Sequence, residues 1–173
     1  MSTPFDEKIA LLATELDNTR LFYGSEKVRQ EKKRKTVAAN RFNSSAPVSS
    51  VARKAEFNVS ASGKRNFSGD NELITDIGSG KVSLEEVAVA DLPEEVRSLD
   101  ASERQAAIEQ KAKQREKLKK QITELSKQRS DYIKNELAAN EKDKDSLDNL
   151  IYKTVKVQAL EKGLKYESES AKY

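Results

Sequence analysis

The chain has 173 residues, with no histidine, cysteine or tryptophan, and Lys, Arg, Asp and Glu fill 35 % of its positions. The missing imidazoles and thiols remove the one side chain that titrates near neutral pH without help, the commonest metal ligand, the thiolate nucleophile and every disulfide or iron–sulfur ligand. The net charge of +3, from 32 basic and 29 acidic residues, lacks the basic excess of a dedicated nucleic-acid binder, and 36 % hydrophobic residues suit narrow stripes on long helices better than a deep globular core.

Six Gly and three Pro argue against a turn-rich all-β fold. No apolar run approaches the ~20 residues that span a bilayer. The start, Met1 to Glu7, has neither the basic nor the apolar region of a signal peptide. A cytoplasmic location is therefore the default expectation.

A first helix is predicted from Thr3 as N-cap and Pro4 as first helical residue. Phe5, Ile9, Leu12 and Leu16 then fall on one face. Leu21-Phe22-Tyr23, closed by Gly24, is too short for a helix and reads as a brief extended segment or a hydrophobic plug. Ser25 can cap a second helix, which carries the basic run Lys27, Arg29, Lys32, Lys33, Arg34 and Lys35, with apolar positions at Val28, Val37, Ala38 and Phe42. The stretch from Asn43 to Ser50, with Pro47, reads as a linker. Val51, Ala55 and Val59 have helical spacing that Ser60, Ser62 and Gly63 weaken, so a marginal helix is expected, followed by a mobile loop through Asn66-Phe67-Ser68-Gly69.

Asp70 is the expected cap of a short helix through Ile77, with Gly78 as its stop. Ser83 and Glu86 make a capping-box pattern. Asp91-Leu92-Pro93-Glu94-Glu95 opens another short turn. Asp100 with Glu103 forms a second capping box and opens the longest element. No Gly or Pro interrupts it from Ala101 to about Asn140, a rod of roughly 60 Å. Its stripe is Ile108, Leu118, Ile122, Leu125, Tyr132 or Ile133, and Leu137. In a heptad frame Arg115 and Arg129 fall on core positions, which interrupts the seam and disfavours a long parallel coiled coil. A polar turn at Asn140 to Lys144, capped at Asp145 or Ser146, leads to a last helix with Leu147, Leu150, Ile151, Val155 or Thr154, Val157 and Leu160, ended by Gly163.

The expected fold is all-α, with extended helices, partly disordered linkers and a C-terminal antiparallel hairpin in which the last helix covers the long one. The predicted divisions are an arm over 1–66, a connector over 67–100, the hairpin over 101–163 and a frayed tail over 164–173.

No spacing among the remaining carboxylates, lysines and hydroxyls makes a recognisable catalytic site, so enzymatic activity, cofactors and metals are not expected. The acids Asp70, Glu72 and Asp76 read as helix-capping groups. Glu141, Asp143, Asp145 and Asp148 mimic calcium-loop spacing, but the required glycine and the late Glu are missing. Gly78-Ser79-Gly80-Lys81 lacks the first glycine of a phosphate loop. The basic positions from Lys111 to Lys120 wrap the whole helix and select no face. The Lys27–Lys35 run offers a candidate anion-binding face, a solvated helix face being the plainer reading. A membrane-surface helix at 25–42 is argued against by its thin apolar side.

Three groups of residues occur in a familiar order. The first is Thr3-Pro4-Phe5-Asp6-Glu7 with Leu16-Asp17-Asn18-Thr19 and Tyr23-Gly24. The second is Asn71-Glu72-Leu73 through Ile77, Gly80-Lys81-Val82 and Asp91-Leu92-Pro93-Glu94-Glu95-Val96-Arg97. The third is Gln114-Arg115, Ile122-Thr123-Glu124-Leu125-Ser126, Arg129 and Tyr132-Ile133, with the Leu147 to Gly163 ending. Together they resemble the region C-terminal to the von Willebrand factor A (VWA) domain of a group of bacterial proteins. The resemblance implies a parent whose VWA domain binds a divalent cation through D-x-S-x-S and engages protein partners, with an envelope or secreted location. Asp100-Ala101-Ser102-Glu103-Arg104 has Arg where the second Ser belongs, so no metal ligand carries over. The expected function is a non-catalytic interaction or structural module. Its partner surface is placed at Leu118, Ile122, Leu125 and Tyr132, and the alternative is a nucleic-acid-binding helical protein that uses Lys27–Lys35.

Overall fold

The computed structural model describes residues 1–139 and 147–164. Among these the chain is all-α: α1 Asp6–Asp17, α2 Glu26–Ser45, α3 Val48–Val59, α4 Lys64–Ser68, α5 Leu73–Gly78, α6 Glu94–Arg97, α7 Ala101–Ala139 and α8 Leu147–Glu161. Two single 3-10 turns, Leu84–Glu86 and Val89–Asp91, lie between α5 and α6. No described helix is long and apolar enough to cross a membrane. The expected polar turn at Asn140 to Lys144, the cap at Asp145 or Ser146, the acidic group Glu141, Asp143, Asp145 and Asp148, and the tail beyond Leu164 lie outside the described residues or side chains.

The chain divides into two compact units, with the boundary inside α7 between Ser126 and Lys127. In the first unit one apolar cluster joins α1 (Ile9, Leu12, Leu16), α3 (Val51, Ala52, Ala55), Phe67 of α4, and Leu118 and Ile122 of α7. A second gathers Leu21, Leu73, Ile74, Leu92, Val96 and Ile108. Each cluster draws on segments far apart in sequence, so packing crosses the divisions drawn at residues 66 and 100.

Local chemistry explains most helix ends. Thr3 donates its backbone N–H to the Asp6 carboxylate at 2.8 Å, and α1 begins at Asp6 rather than Pro4. At the start of α7, Glu103 N–H donates to Asp100 Oδ1 at 2.8 Å and Asp100 N–H to Glu103 Oε2 at 3.0 Å, a complete capping box. The Ser83 N–H likewise donates to Glu86. Helix α8 ends with Gly163 at φ +77° while the Gly163 and Leu164 N–H groups donate back to Leu160 and Ala159. That pair of bonds is a Schellman turn, which glycine enters without Cβ strain.

Three elements differ from expectation. The residues read as a linker over 43–50 are mostly helical, 43–45 ending α2 and 48–50 opening α3, and the break shrinks to Ala46-Pro47 because proline cannot extend a helix. The marginal helix expected from Val51 is α3, anchored by the buried Val51, Ala52, Ala55 and Asn58, but the loop expected to follow it through Gly69 is corrected: residues 64–68 form α4, because Phe67 is drawn into the core and is 3 % exposed. The cap of α5 is Glu72 and not Asp70, its carboxylate accepting the Thr75 N–H at 2.9 Å. Leu21-Phe22-Tyr23 is the expected extended segment and pairs antiparallel with Asn71–Leu73: Leu73 N–H donates to Leu21 O at 2.7 Å and Tyr23 N–H to Asn71 O at 3.1 Å. Asn71 takes φ +59°, a region asparagine tolerates better than most residues.

The second unit contains Lys127–Ala139 of α7 and α8. Arg129, Ile133 and Ala159 are buried and Tyr132 is half-buried. The apolar stripe expected to cover the long helix does not do so. Leu150, Ile151, Val155, Val157 and Leu160 are each 42–57 % exposed, and the inward side of α8 carries Tyr152, Lys156 and Ala159. Apolar residues lie around most of this helix, so periodicity alone did not select the side that is covered.

Candidate interaction surfaces

The deepest polar feature is a clasp between α5 and α7. Glu72 is fully buried and Arg115 is 2 % exposed. Arg115 Nη1 donates to Glu72 Oε2 at 2.7 Å and Nη2 to Glu72 Oε1 at 2.8 Å, the two parallel bonds that a planar guanidinium makes best with a carboxylate. Its remaining donors reach Thr19 Oγ1 at 3.0 Å and Thr19 O at 2.7 Å. Glu72 also accepts from Leu21 N–H at 2.9 Å and from the Thr75 hydroxyl at 2.6 Å. Burial alone would raise the Glu72 pKa, but Arg115, Thr75 and the Leu21 N–H together hold it below its ordinary value of 4.5. Arg115 thus points inward, whereas the basic stretch from Lys111 to Lys120 was expected to select no face. The Phe67 ring lies 5.5 Å from the Arg115 guanidinium and 5.4 Å from that of Arg20. With every lone pair and proton occupied by the protein itself, the clasp is a structural lock with no free valence for a ligand.

Other acids are also occupied internally. Asp76, buried, accepts the Tyr23 hydroxyl at 2.9 Å and pairs with Lys81 at 3.3 Å. Burial first, then the bond to Asp76 and its charge, push the Tyr23 phenol up to about 12. Asp17 receives Asn43 at 2.9 Å and Lys54 at 3.2 Å, which ties α1, α2 and α3 together. Asp70, Glu72 and Asp76, neighbours in sequence, do not converge: no described cluster of three or more carboxylates could share a cation.

The partner surface assigned to Leu118, Ile122, Leu125 and Tyr132 is corrected. Leu118 is 4 % exposed and Ile122 fully buried, and Leu125 packs against the same cluster. These three are the inner face of α7, closed over α1 and α3, because a stripe on a long helix covers its own chain first when short helices stand ready to receive it. Tyr132 is half-buried and belongs to the second unit.

Helix α2 carries the basic run and buries no residue. Its half-buried side is mostly polar, with Arg29, Lys32, Thr36, Asn40 and Asn43 beside Val28 and Ala39. Arg29 donates to the Gly24 and Ala90 carbonyls, Lys32 lies 5.7 Å from the Phe22 ring, and Asn43 reaches Asp17. Val28 and Ala39 are half-buried on that side, whereas Val37 is 48 % exposed, Ala38 is open, and Phe42, 42 % exposed, has Lys54 5.5 Å from its ring. The six cations do not act as one group. Arg29 is held by backbone carbonyls, Lys35 pairs with Glu31 at 2.7 Å and Lys33 with Glu94 at 3.8 Å, while Lys27 and Arg34 project into solvent. One side of α2 forms an open pocket of about 400 Å³ lined by Gln30, Lys33, Arg34, Val37, Ala38 and Arg41. Nothing within α2 itself signals this orientation, because polar partners contributed by Gly24, Ala90 and Asp17 turn the helix.

No family model, no curated protein and no solved structure matches this chain.

Proposed function

We propose that this chain is a non-catalytic helical module that binds a protein partner, in keeping with its resemblance to the region C-terminal to a VWA domain. The observation that carries the reading is the orientation of α2. Polar groups dock it, and Val37, Ala38 and Phe42 are left to solvent beside exposed cations. Apolar side chains left in solvent have unspent burial free energy of about 25 cal/mol for each Å² a partner could cover. The exposed Leu150, Val157 and Leu160 of α8 add a second apolar surface. The Glu72–Arg115 clasp supplies the rigidity that such a scaffold needs.

A photo-reactive residue at Val37, compared with one at the exposed Glu85, tests this reading in the native cells. Discrete adducts at Val37 and none at Glu85 are the expected result; no adduct at either Val37 or Val157 refutes it. The VWA relationship is tested by the mass of the native gene product. A species carrying these residues behind a D-x-S-x-S domain is expected, and a species of 19.4 kDa refutes the appended-module reading.

A further inference from the structure

We infer that the outward face of α2 accepts an acidic amphipathic helix, one that carries two carboxylates two turns apart with an apolar side chain between them. This inference rests on the interaction-module reading and names the chemistry of the partner. The floor of the open pocket is Val37 and Ala38, and the rim is Lys33 and Arg34 at one end and Arg41 at the other. No carboxylate lines it. Among the described residues neither the Arg34 nor the Arg41 guanidinium has an ion-pair partner, and Lys33 meets Glu94 only across 3.8 Å, with both side chains three-quarters exposed. Such an exposed pair is readily exchanged.

The spacing determines the partner. From Arg34 to Arg41 is seven residues, about 10.5 Å along the helix axis at 1.5 Å per residue. A second helix laid along α2 meets both ends with acids at i and i+7, and an apolar residue at i+3 or i+4 then falls over Val37. Arginine is suited to these ends because its fork can hold each carboxylate with two bonds. The apolar floor separates this surface from a phosphate-tracking one, which needs cations without a hydrophobic strip between them. The narrowness of the strip, one valine and one alanine between cationic ends, separates it from a membrane-surface helix, which needs a broad apolar face.

The test is fluorescence anisotropy on the full chain with a labelled Ala/Gln-based helical peptide of about 18 residues, carrying Glu at i and i+7 and Leu at i+3 and i+4. Saturable binding is expected, weakened about tenfold or more by Arg34→Glu with Arg41→Glu, and similarly by Val37→Asp. The charge-reversed protein should recover affinity for a peptide with Lys in place of both Glu residues. All three positions are exposed, so unchanged far-UV circular dichroism checks that the variants fold. No binding to the native chain up to about 1 mM peptide overturns the inference, as does binding that ignores the charge reversal or Val37→Asp. Tighter binding to a single-stranded oligonucleotide with a log–log salt slope steeper than about −4 overturns it in favour of phosphate recognition. Tighter binding to phosphatidylserine vesicles overturns it in favour of a membrane surface. If the peptide fails while Val37 still cross-links to a discrete protein in cells, only the partner chemistry falls; if both fail, the interaction-module reading falls with it.

Discussion

Replacing Glu72 by Gln keeps the shape of the clasp and removes its charge. Arg115 is then left 2 % exposed with no counter-charge, although its bonds to Thr19 remain. Stripping one partner from a buried, hydrogen-bonded ion pair typically costs about 3–5 kcal/mol. The surrounding unit runs from Ser2 to Ser126, a size at which 1 kcal/mol shifts the melting midpoint by roughly 3–5 °C. A fall of about 10–20 °C in Tm, followed by circular dichroism at 222 nm, is therefore expected. The pH dependence gives an independent check. The Glu72 pKa is lowered in the folded state, so its contribution is fully present above the ordinary value of 4.5 and is lost as pH falls through the lower folded value. Native and Glu72→Gln proteins should differ by a constant margin near neutral pH and converge below about pH 4.5. A double variant with Arg115→Met should be less destabilised than the two single losses added, because the uncompensated charge is gone. A Tm change under about 3 °C in Glu72→Gln, or a margin that does not shrink in acid, would refute the account of the clasp.

Tyr23→Phe removes the hydroxyl that Asp76 accepts and should cost about 1 kcal/mol. In the native protein the raised phenol means that this contribution persists up to pH 10 and is lost as pH rises through about 12, so the 295 nm titration should show one late tyrosine that the variant lacks. Gly63→Ala would set a Cβ 1.7 Å from the Phe57 carbonyl oxygen, a backbone atom that cannot swing aside. Urea unfolding should reveal a large loss of stability, and a midpoint within error of native would show that the α3–α4 turn relaxes freely. Ile122→Ala empties a fully buried position between α7, α1 and α3 and should cost about 2–5 kcal/mol, whereas Val157→Ala on the exposed side of α8 should stay within about 0.5 kcal/mol. Equal losses in the two variants would contradict the assignment of inner and outer faces.

The acids near Glu72 show how far residue type alone can reach. A carboxylate at the start of a short helix reads correctly as a cap, since Glu72 does accept the Thr75 N–H. Its bond to Arg115 is invisible at that level, because the two residues are 43 positions apart and meet only when α5 and the first half of α7 fold onto the same core. Arg115 did leave a trace in the sequence, as a charge on a core position of the heptad frame. The partner surface at Leu118, Ile122 and Leu125 failed for a related reason. A helical stripe announces that it will be buried but not by what, and here α1 and α3 cover it.

The sequence by itself determined the helical class, the long uninterrupted α7 and some of the helix ends. The capping box at Asp100–Glu103 and the Gly163 stop close within a few residues, so their energetics are local and their signatures travel with the chain. Only the tertiary structure decided which faces point outward. The rotation of α2 is set by carbonyls at Gly24 and Ala90 and by the Asp17 carboxylate, none of them within the helix. Polar contacts from distant segments outweigh the small apolar preference of Val37 and Phe42, and these two residues stay largely exposed although the sequence marks them as hydrophobic.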